Sequence, residues 1–299
     1  LSAGIAAAVV LLSILLSQML TRKISTLLTA IRKVRAGAYE HRTHISGRDE
    51  IAQIGEEFNS LTDRLQTTET LRRRFVSDAS HELKTPLAAI RLLTDSILQT
   101  DQMDMETVRD FVTDIGSEAE RLSRITEDLL RLTRLDSDLL DAPETVEVAP
   151  VLEQVMRMMS LLAQEKGTEL TYRMEENCRV SATKGEVHQV IYNLTDNAVK
   201  YSGKNGKVRV ELRHEDRDVV LTVADNGPGI PEEDLPKVFE RFYRVDKARS
   251  RAAGGTGLGL SIVQDTVKKR GGTVSAANRA GGGAVFTVRW PEAEGGDHS

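Results

Sequence analysis

Cysteine and aromatic residues are scarce in this chain of 299 residues. Cys178 is the only cysteine, so the sequence excludes an intrachain disulfide and a cysteine-based zinc site. Aromatic residues make up 4% of the chain, which favours helices packed through Leu, Ile, Val and Ala over a core of large rings. The net charge of −5 provides no basic excess, so we predict no direct binding of nucleic acid. The chain starts at Leu1 rather than at methionine, and we expect it to be part of a longer protein.

An apolar run fills residues 1–20 and contains no charged residue. About 20 residues at a rise of about 1.5 Å extend about 30 Å, the thickness of a bilayer core. The alternatives are a signal-peptide core and a buried helix, but a signal core is normally shorter and follows a basic segment. Basic residues come soon after the run, namely Arg22, Lys23, Arg32, Lys33 and Arg35. The apolar run therefore predicts a transmembrane helix at 1–20. The basic residues that follow it predict, by the positive-inside rule, that the residues after Leu20 lie in the cytoplasm.

Apolar residues recur at helical spacing in two groups within residues 21–68. The groups are Ile24, Leu28, Ile31 and Val34, then Ile51, Ile54, Phe58, Leu61 and Leu65. Between them, Gly37 ends the first helix, Ile45 is expected to be a buried anchor, and Ser46 and Asp49 can each cap the second helix. The pattern predicts a helix, a connector and a second helix, and the alternative is an ordinary pair of surface helices.

The second helix is expected to continue to about Ile97, where a polar turn at 99–105 precedes a return helix. The return helix has its own apolar stripe, which consists of Val108, Phe111, Ile115, Ala119, Leu122, Ile125, Leu129 and Leu132. Two long helices joined by a short loop form an antiparallel hairpin, here at 69–136. One hairpin buries such stripes poorly, so we predict that two hairpins form a dimeric four-helix bundle.

Residues 80–87 place His81 on the first helix of this hairpin, beside the acid Glu82. A lone histidine on a helix is most often an ordinary surface or core residue. Here Glu82 can act as a base, and Thr85 lies four residues on and shares the face of His81. Pro86 removes the helix hydrogen bond to the Glu82 carbonyl, which predicts a kink beside His81. The combination indicates a reactive histidine on a helix that can bend.

After an expected linker at 137–148, which includes a first strand near 145–148, helices and strands alternate through residues 149–292. We predict helices at 150–166, 186–201 and 258–270, and strands at 170–174, 179–182, 207–213, 219–224, 273–277 and 284–290. This mixture predicts an α+β two-layer sandwich, with helices on one face of a largely antiparallel sheet. Residues 293–299 are expected to be a disordered tail.

Three segments of this region are typical of a nucleotide pocket. In the first, residues 193–202, Asn193, Asn197 and Lys200 share a helix face, where an amide oxygen suits Mg²⁺ and a lysine suits phosphate. In the second, residues 225–230, Asp225 ends a strand and could accept from the amino group of adenine. The third, residues 254–260, is glycine-rich and opens a helix whose N–H groups suit phosphates. Taken alone, the first segment could be an ordinary solvated helix face, and the second could be a plain turn.

The glycine segment has neither the dinucleotide fingerprint nor the lysine of a P-loop. Residues 239–244 lie between the second and third segments, on a long excursion that ends in Lys247, Arg249 and Arg251. A loop of that length within a compact domain is usually a lid.

In order and spacing, these segments resemble the N, G1, F and G2 boxes of the bacterial sensor histidine kinases, within the GHKL ATPase superfamily. Residues 80–87 resemble their phosphoacceptor box, and residues 21–68 resemble a HAMP linker. The resemblance implies a multidomain chain that consists of a transmembrane helix, a HAMP coiled coil, an all-α phosphoacceptor hairpin and a GHKL ATP-binding sandwich.

The resemblance also implies roles for single residues. His81 would be the phosphoacceptor, Glu82 its base, and Thr85 would orient water when the partner is dephosphorylated. Asn197 would hold Mg²⁺, Asp225 would bind adenine and Arg244 would meet the γ-phosphate of ATP. The other implied nucleotide-binding residues are Asn193, Lys200, Tyr201, Gly227, Gly229, Gly255, Gly257, Leu258 and Gly259.

The implied activity is autophosphorylation of His81 from Mg-ATP, followed by transfer to an aspartate of a response regulator. The implied setting is a homodimer in the bacterial inner membrane, with a sensing region before Leu1. Two alternatives remain open. An ATPase clamp of the Hsp90 or gyrase type explains the pocket but not His81, and a non-catalytic coiled coil like that of chemoreceptors explains the linker but not the pocket.

Overall fold

The computed structural model describes residues 2–100, 103–135, 142–203, 205–246 and 255–293. Part of the expected linker (137–141), the basic end of the expected lid with Gly254 (247–254) and most of the expected tail (294–299) lie outside the described residues. The chain divides into two compact units, Leu1–Asp78 and Ala79–Ser299, and each is described by itself.

The first unit begins with helix α1, Ser2–Arg35, which continues without a break from the apolar run into the basic segment. Among the described residues, one helical stretch, Ala3–Arg35, is long and apolar enough to cross a membrane. Helix α2, Glu50–Gln99, starts in this unit and ends in the other. Of the two expected capping residues, Asp49 caps it, because its Oδ1 accepts from the Ala52 N–H at 3.0 Å.

The connector between α1 and α2 is anchored by Thr43 rather than by Ile45. Thr43 is buried, and its hydroxyl donates to the Gly55 carbonyl at 3.2 Å. The Asn59 side chain binds both backbone groups of Thr43: its Oδ1 accepts from the N–H at 2.8 Å, and its Nδ2 donates to the carbonyl at 3.0 Å. Ile45 is only half-buried, beside Gly55. The expectation of a buried apolar anchor at Ile45 was therefore wrong. The connector forms no regular secondary structure, so its backbone N–H and carbonyl groups need side-chain partners, and polar contacts hold it in place.

The second unit contains the hairpin, formed by the Ala79–Gln99 part of α2 and by helix α3, Met105–Leu135. Helix α2 ends at Gln99 and α3 begins at Met105, as the predicted break between the two helices requires. Helix α3 buries Arg121, Ile125 and Leu132 at spacings of four and seven, which places all three on one face.

The α+β part of this unit has seven strands, three further helices and a short 3₁₀ helix at Leu235–Lys237 within the described residues. In chain order the elements are β1 Glu144–Glu147, α4 Val148–Glu165, β2 Glu169–Met174, β3 Arg179–Ala182, α5 Lys184–Tyr201, β4 Lys207–Glu215, β5 Asp218–Asp225, α6 Gly259–Lys269, β6 Thr273–Asn278 and β7 Ala284–Pro291. The sequence predicted each of them to within a few residues.

A five-stranded sheet runs in the order β2-β4-β5-β7-β6 and is antiparallel except between β2 and β4. One face is apolar because the residues that alternate along β4, namely Val208, Val210 and Leu212, are buried. Leu152 of α4, Ile191 of α5 and Val263 of α6 pack in the same core. The predicted two-layer α+β sandwich, with a largely antiparallel sheet, is confirmed.

The first strand, β1, belongs to this core rather than to a free linker. It pairs antiparallel with β3, with Val146 opposite Val180, and both valines are buried. The Val148 N–H donates to the Cys178 carbonyl at 2.8 Å, which ties the start of α4 to the residue just before β3. The α+β fold therefore includes β1, Glu144–Glu147.

Candidate functional site

A cavity of about 360 Å³ lies where α5, the end of β5, the glycine-rich segment before α6 and part of α3 meet. Its size falls in the range of small-molecule sites. Ten of the twelve expected nucleotide-binding residues line it, namely Asn193, Asn197, Lys200, Tyr201, Asp225, Gly229, Arg244, Gly255, Gly257 and Gly259. Three segments far apart in the sequence are thus brought to one cavity.

Two of the expected residues, Gly227 and Leu258, do not line the cavity. Leu258 is the N-cap residue of α6, and its side chain is fully buried. Its N–H donates to the Thr256 hydroxyl at 3.2 Å, and its carbonyl accepts from the Ser261 hydroxyl at 2.8 Å. Gly227 shapes the turn after β5, where a side chain would collide with the carbonyl oxygen of Tyr201. Glycine at this position allows the turn to pack closely against the end of α5, since any Cβ would push that end away.

Helix α5 is fixed at its start by a capping box. The Thr183 hydroxyl accepts from the Glu186 N–H at 3.2 Å, and the Glu186 carboxylate accepts from the Thr183 N–H at 2.8 Å. Arg270, at the end of α6, donates to both carboxylate oxygens of Glu186, at 3.0 and 2.9 Å. These bonds join the two helices that carry the first and third segments, so they fix the spacing of the cavity walls.

Asn193 has a structural role at the cavity wall. Its side-chain NH₂ donates to the Gly259 carbonyl at 3.0 Å, and its side-chain oxygen accepts from Gln189 at 2.8 Å. Both ends of the amide are therefore used within the protein. This arrangement fits a supporting residue for Asn197 better than a ligand in its own right.

Asn197 lines the cavity one turn further along α5, and within the described residues its side chain has no hydrogen-bond partner. Among those residues no three His, Cys, Asp or Glu side chains cluster closely enough for a metal site made of protein groups alone. Mg²⁺ does not require one, because it commonly takes one or two protein oxygens together with phosphates and water. The Asn197 amide lines the cavity together with Lys200, which can neutralise phosphate charge, and this pair fits that kind of site.

Lys200 does not extend alone into the cavity, because it forms an ion pair with Asp196. The Nζ atom lies 2.6 Å from the Asp196 carboxylate, and both side chains are mostly buried. The pair, four residues apart on α5, holds the ammonium group at the cavity wall. Asp196 was not singled out from the sequence, although its position four residues before Lys200 was visible there.

Asp225 is 4% exposed and ends β5 at the cavity. Its Oδ1 accepts from the N–H groups of Gly227 at 2.8 Å and Ala284 at 3.2 Å. Burial raises the pKa of the Asp225 carboxyl, while these two hydrogen bonds oppose the rise. Two fixed donors on Oδ1 set the orientation of the carboxylate and leave Oδ2 for a ligand.

The segment that carries Arg244 is tied directly to the glycine-rich segment. The Phe242 N–H donates to the Gly257 carbonyl at 2.8 Å, and both residues have positive φ, 62° and 73°. A Cβ at Gly257 would lie 3.0 Å from the Phe242 backbone, so only glycine permits this approach without strain. The two segments that the sequence separates by a long excursion therefore meet at this point.

Helix α3 forms part of the cavity wall, which the sequence did not predict. The Thr256 hydroxyl donates to the Asp128 carboxylate at 2.8 Å, and Asp128 lines the cavity. Burial raises the pKa of the Asp128 carboxyl, and the bond from Thr256 opposes that rise. Lys269 of α6 also donates to the Leu135 carbonyl at 2.8 Å. The hairpin and the α+β core thus contact each other through polar bonds.

The predicted reactive histidine, His81, lies exposed on α2, outside the cavity wall. Its neighbour Glu82 is linked to the cavity, because Arg244 donates to Glu82 Oε2 at 2.9 Å. Arg121 of α3 donates to the same oxygen at 3.0 Å. The Arg244 side chain is 4% exposed, so this contact is desolvated. The structure therefore connects the nucleotide cavity to the residue beside His81.

Thr85 makes the bond expected of a threonine within a helix. Its hydroxyl donates to the His81 carbonyl at 3.1 Å, one turn back. Pro86 lies inside α2, which continues as a helix on both sides of it. The side chain of Thr85 is exposed and remains accessible from outside.

Three family models match the chain in sequence. Residues 15–67 match the HAMP domain, residues 71–138 match the His Kinase A (phospho-acceptor) domain, and residues 182–294 match the histidine kinase-, DNA gyrase B- and HSP90-like ATPase. The ATPase match alone is shared with gyrase and HSP90. The phosphoacceptor match on the same chain decides between them. The chain belongs to the sensor histidine kinases.

Curated relatives agree with this assignment. The signal transduction histidine-protein kinase AfsQ2 of Streptomyces coelicolor is 34% identical over 97% of this chain and 57% of its own length. BaeS of Escherichia coli, with the same description, is 31% identical over 94% of this chain and 60% of its own length. This chain thus spans less than two thirds of the relatives it matches. Membership of this family, together with the apolar helix α1, indicates a membrane protein.

A solved structure shows the same arrangement of elements. The crystal structure of full-length ShkA in complex with AMPPNP has a TM-score of 0.54 and is 29% identical, over 75% of this chain and 46% of that one. The matched part is longer than the α+β core, Glu144 to Pro291, so the likeness extends beyond that core.

Proposed function

We propose that this chain phosphorylates His81 with ATP and passes the phosphoryl group to an aspartate of a response regulator. The observation that carries the proposal is the contact between Arg244, which lines the nucleotide cavity, and Glu82, which is the neighbour of His81. The Arg244 side chain thus lines the nucleotide cavity and also contacts the residue next to the phosphoacceptor His81.

The first step is an in-line transfer. A lone pair on an imidazole nitrogen of His81 attacks the γ-phosphorus, and the bond from that phosphorus to the β,γ-bridging oxygen breaks. ADP leaves with the electron pair of that bond, and Glu82 accepts the proton from the other imidazole nitrogen. Such reactions depend on positioning and on neutralising charge.

The residues of the cavity have distinct parts in this proposal. Asp225 accepts from the exocyclic amino group of adenine, and the N–H groups at the start of α6 face the phosphates. The Lys200 ammonium group and the Arg244 guanidinium group neutralise phosphate charge. Asn197, supported by Asn193, would hold Mg²⁺, which supplies further charge neutralisation on the phosphate oxygens.

In the second step, a carboxylate oxygen of the regulator's aspartate attacks the phosphorus on His81. The N–P bond breaks, its electron pair stays on the imidazole nitrogen, and Glu82 returns the proton to the other ring nitrogen, so that His81 recovers its neutral form. The phosphoacceptor is exposed on α2, as transfer to a separate protein requires. We further propose that the residues after Leu20 face the cytoplasm, where ATP and the regulator are found, since basic residues follow the apolar run.

Incubation of the protein with γ-labelled ATP tests the proposal against its alternatives. Acid-labile, base-stable label on the protein is expected, because that stability is typical of a phosphorus–nitrogen bond. Release of phosphate without labelling would favour an ATPase clamp. Absence of both would favour a signalling coiled coil without catalysis.

We expect residues 66–299 to form a homodimer. Apolar side chains on α2 and α3 are more than half exposed within one chain, including Leu87, Leu92, Leu98, Val112 and Leu130. A second hairpin that covers them would gain the hydrophobic free energy of their burial. Light scattering at micromolar concentration should give the mass of a dimer.

A matched pair of substitutions locates the dimer contact. Leu87→Glu, on the hairpin, should shift the mass towards a monomer. Leu161→Glu, on α4, should leave it unchanged, although Leu161 is 68% exposed and Leu87 is 59% exposed. A monomeric unmodified fragment would contradict the four-helix bundle.

Thr85→Ala is expected to keep autophosphorylation within a few fold and to slow dephosphorylation of the regulator. The side chain lies one turn from His81 and is accessible, so its hydroxyl could hold the attacking water. Both activities should be measured on the same preparation. Equal loss of both, or of neither, would mean that Thr85 serves only the His81 carbonyl, to which it donates.

A further inference from the structure

Arg121 is a buried charge in the middle of the hairpin. Among the residues that the structure describes, Arg121 and Asp225 are the charged residues that are buried as a whole, and the side chain of Arg244 is buried as well. Asp225 and Arg244 line the nucleotide cavity, whereas Arg121 does not. Removing a guanidinium group from water is costly unless it is paired, so an arginine at such a place needs a specific partner.

The position of Arg121 on α3 is one at which an apolar residue is expected. Ile125 and Leu132 lie on the same face and are completely buried. Arg121 therefore interrupts the apolar stripe that holds the hairpin together. Packing alone does not account for it, because leucine would fill such a site without a charge to desolvate.

The partner of Arg121 is Glu82, on the opposite helix of the hairpin. The guanidinium group donates to Glu82 Oε2 at 3.0 Å, and the two side chains are 7% and 17% exposed. Glu118, one turn earlier on α3, lies at 3.6 Å and provides a second negative charge. A charge-assisted bond in such surroundings restricts the rotamers of Glu82.

Arg121 and Arg244 both bind Oε2 of Glu82. Within the described residues, both hydrogen bonds to the Glu82 carboxylate end on Oε2 and none on Oε1. If Arg244 turns to the γ-phosphate, Arg121 remains as the partner of Glu82. The carboxylate then keeps its orientation, with Oε2 held and Oε1 available to a proton from the neighbouring imidazole.

We propose that Arg121 is a positioning residue that holds the Glu82 carboxylate for proton transfer from His81 while Arg244 is engaged with nucleotide. The inference rests on the proposed histidine kinase activity and adds a residue to it. It predicts that Arg121 affects the rate of the chemical step and has little effect on the binding of ATP, because it lies outside the cavity wall.

The test compares Arg121→Met with Arg121→Lys and with Arg109→Met, which removes an exposed arginine from the same helix. The rate of His81 phosphorylation and the KM for ATP are measured on the full chain, together with the unfolding temperature. We expect Arg121→Met to lower the rate about 10- to 100-fold, the usual cost of a misplaced catalytic group, with KM nearly unchanged. Arg121→Lys should recover most of that rate, and Arg109→Met should match the unmodified protein.

A double-substitution cycle separates positioning from a general loss of structure. In a Glu82→Gln background, Arg121→Met should have almost no further effect on the rate, because the carboxylate it positions is gone. The same fold loss in both backgrounds would overturn the proposal, as would a rate for Arg121→Met equal to that of Arg109→Met. A lysine variant that folds normally but is as slow as the methionine variant would also count against it.

The outcome for the unmodified protein tests the underlying activity independently. If it acquires no acid-labile label, the proposed function fails, and the role of Arg121 fails with it. If it is labelled normally and Arg121→Met is labelled at the same rate, only the positioning role fails.

Discussion

Replacing His81 with glutamine is expected to abolish labelling of the protein by γ-labelled ATP while leaving nucleotide affinity nearly intact. Glutamine has no ring nitrogen that can form the phosphorus–nitrogen bond, so no partial activity is expected. His81 lies on α2 and does not line the nucleotide cavity, so ATP binding should change little. Binding of a fluorescent adenine nucleotide and incorporation of label are measured on the same preparation.

A second histidine provides the control for this experiment. His44 is also exposed but lies in the connector between α1 and α2. His44→Gln should be labelled like the unmodified protein. Residual label on His81→Gln would indicate another acceptor, and a large loss of nucleotide affinity would contradict the separation of acceptor and cavity.

Motifs that are local in sequence could be predicted well. The helix that carries His81, the strand that ends at Asp225 and the glycine-rich start of α6 each occupy a few consecutive residues, and the structure forms all three. The start of α5 was predicted two residues late. The capping box of Thr183 and Glu186 was visible in the sequence as Thr-x-x-Glu, and it would have corrected the boundary.

Contacts between distant segments could not be predicted from one sequence. Arg121 and Glu82 are separated by 39 positions, and Thr256 and Asp128 by 128. Nothing in a local pattern indicates which arginine on α3 faces which acid on α2. Amphipathic periodicity also places Arg121 on the apolar face without saying that it is buried with a partner.

Leu258 shows a different limit. The sequence placed it among residues that face the nucleotide, since it lies between Gly257 and Gly259. The structure instead buries its side chain in the core, while the two glycines line the cavity. Adjacent residues at a helix start point in different directions, so membership of a motif does not assign each side chain to the ligand.

Asp225→Asn is expected to weaken adenine nucleotide binding by about 1–3 kcal/mol, the cost of a mispaired buried polar group. Asparagine can keep the two bonds that Oδ1 accepts from Gly227 and Ala284, so its oxygen should take that place. The NH₂ group then replaces Oδ2 and faces the amino group of adenine, donor against donor. Titration with ATP by calorimetry measures the change.

Two further measurements make this assignment specific. Guanine carries an oxygen where adenine carries its amino group, so Asp225→Asn should lose ATP affinity and gain affinity for GTP. Asp218→Asn, at the opposite end of β5, is the matched control and should change neither. Equal binding of ATP and GTP by the unmodified protein would refute the role of Asp225.

The dependence of ATP binding on pH follows from the same carboxylate. Burial raises the pKa of Asp225, so the protonated form appears at a higher pH than for an ordinary aspartate. Protonation turns the acceptor into a donor, and ATP affinity of the unmodified protein should therefore fall as the pH is lowered towards that raised pKa. The asparagine variant has no proton to gain there, so its affinity should be lower throughout and should lack this fall. A parallel fall in both proteins would assign the pH dependence to another group.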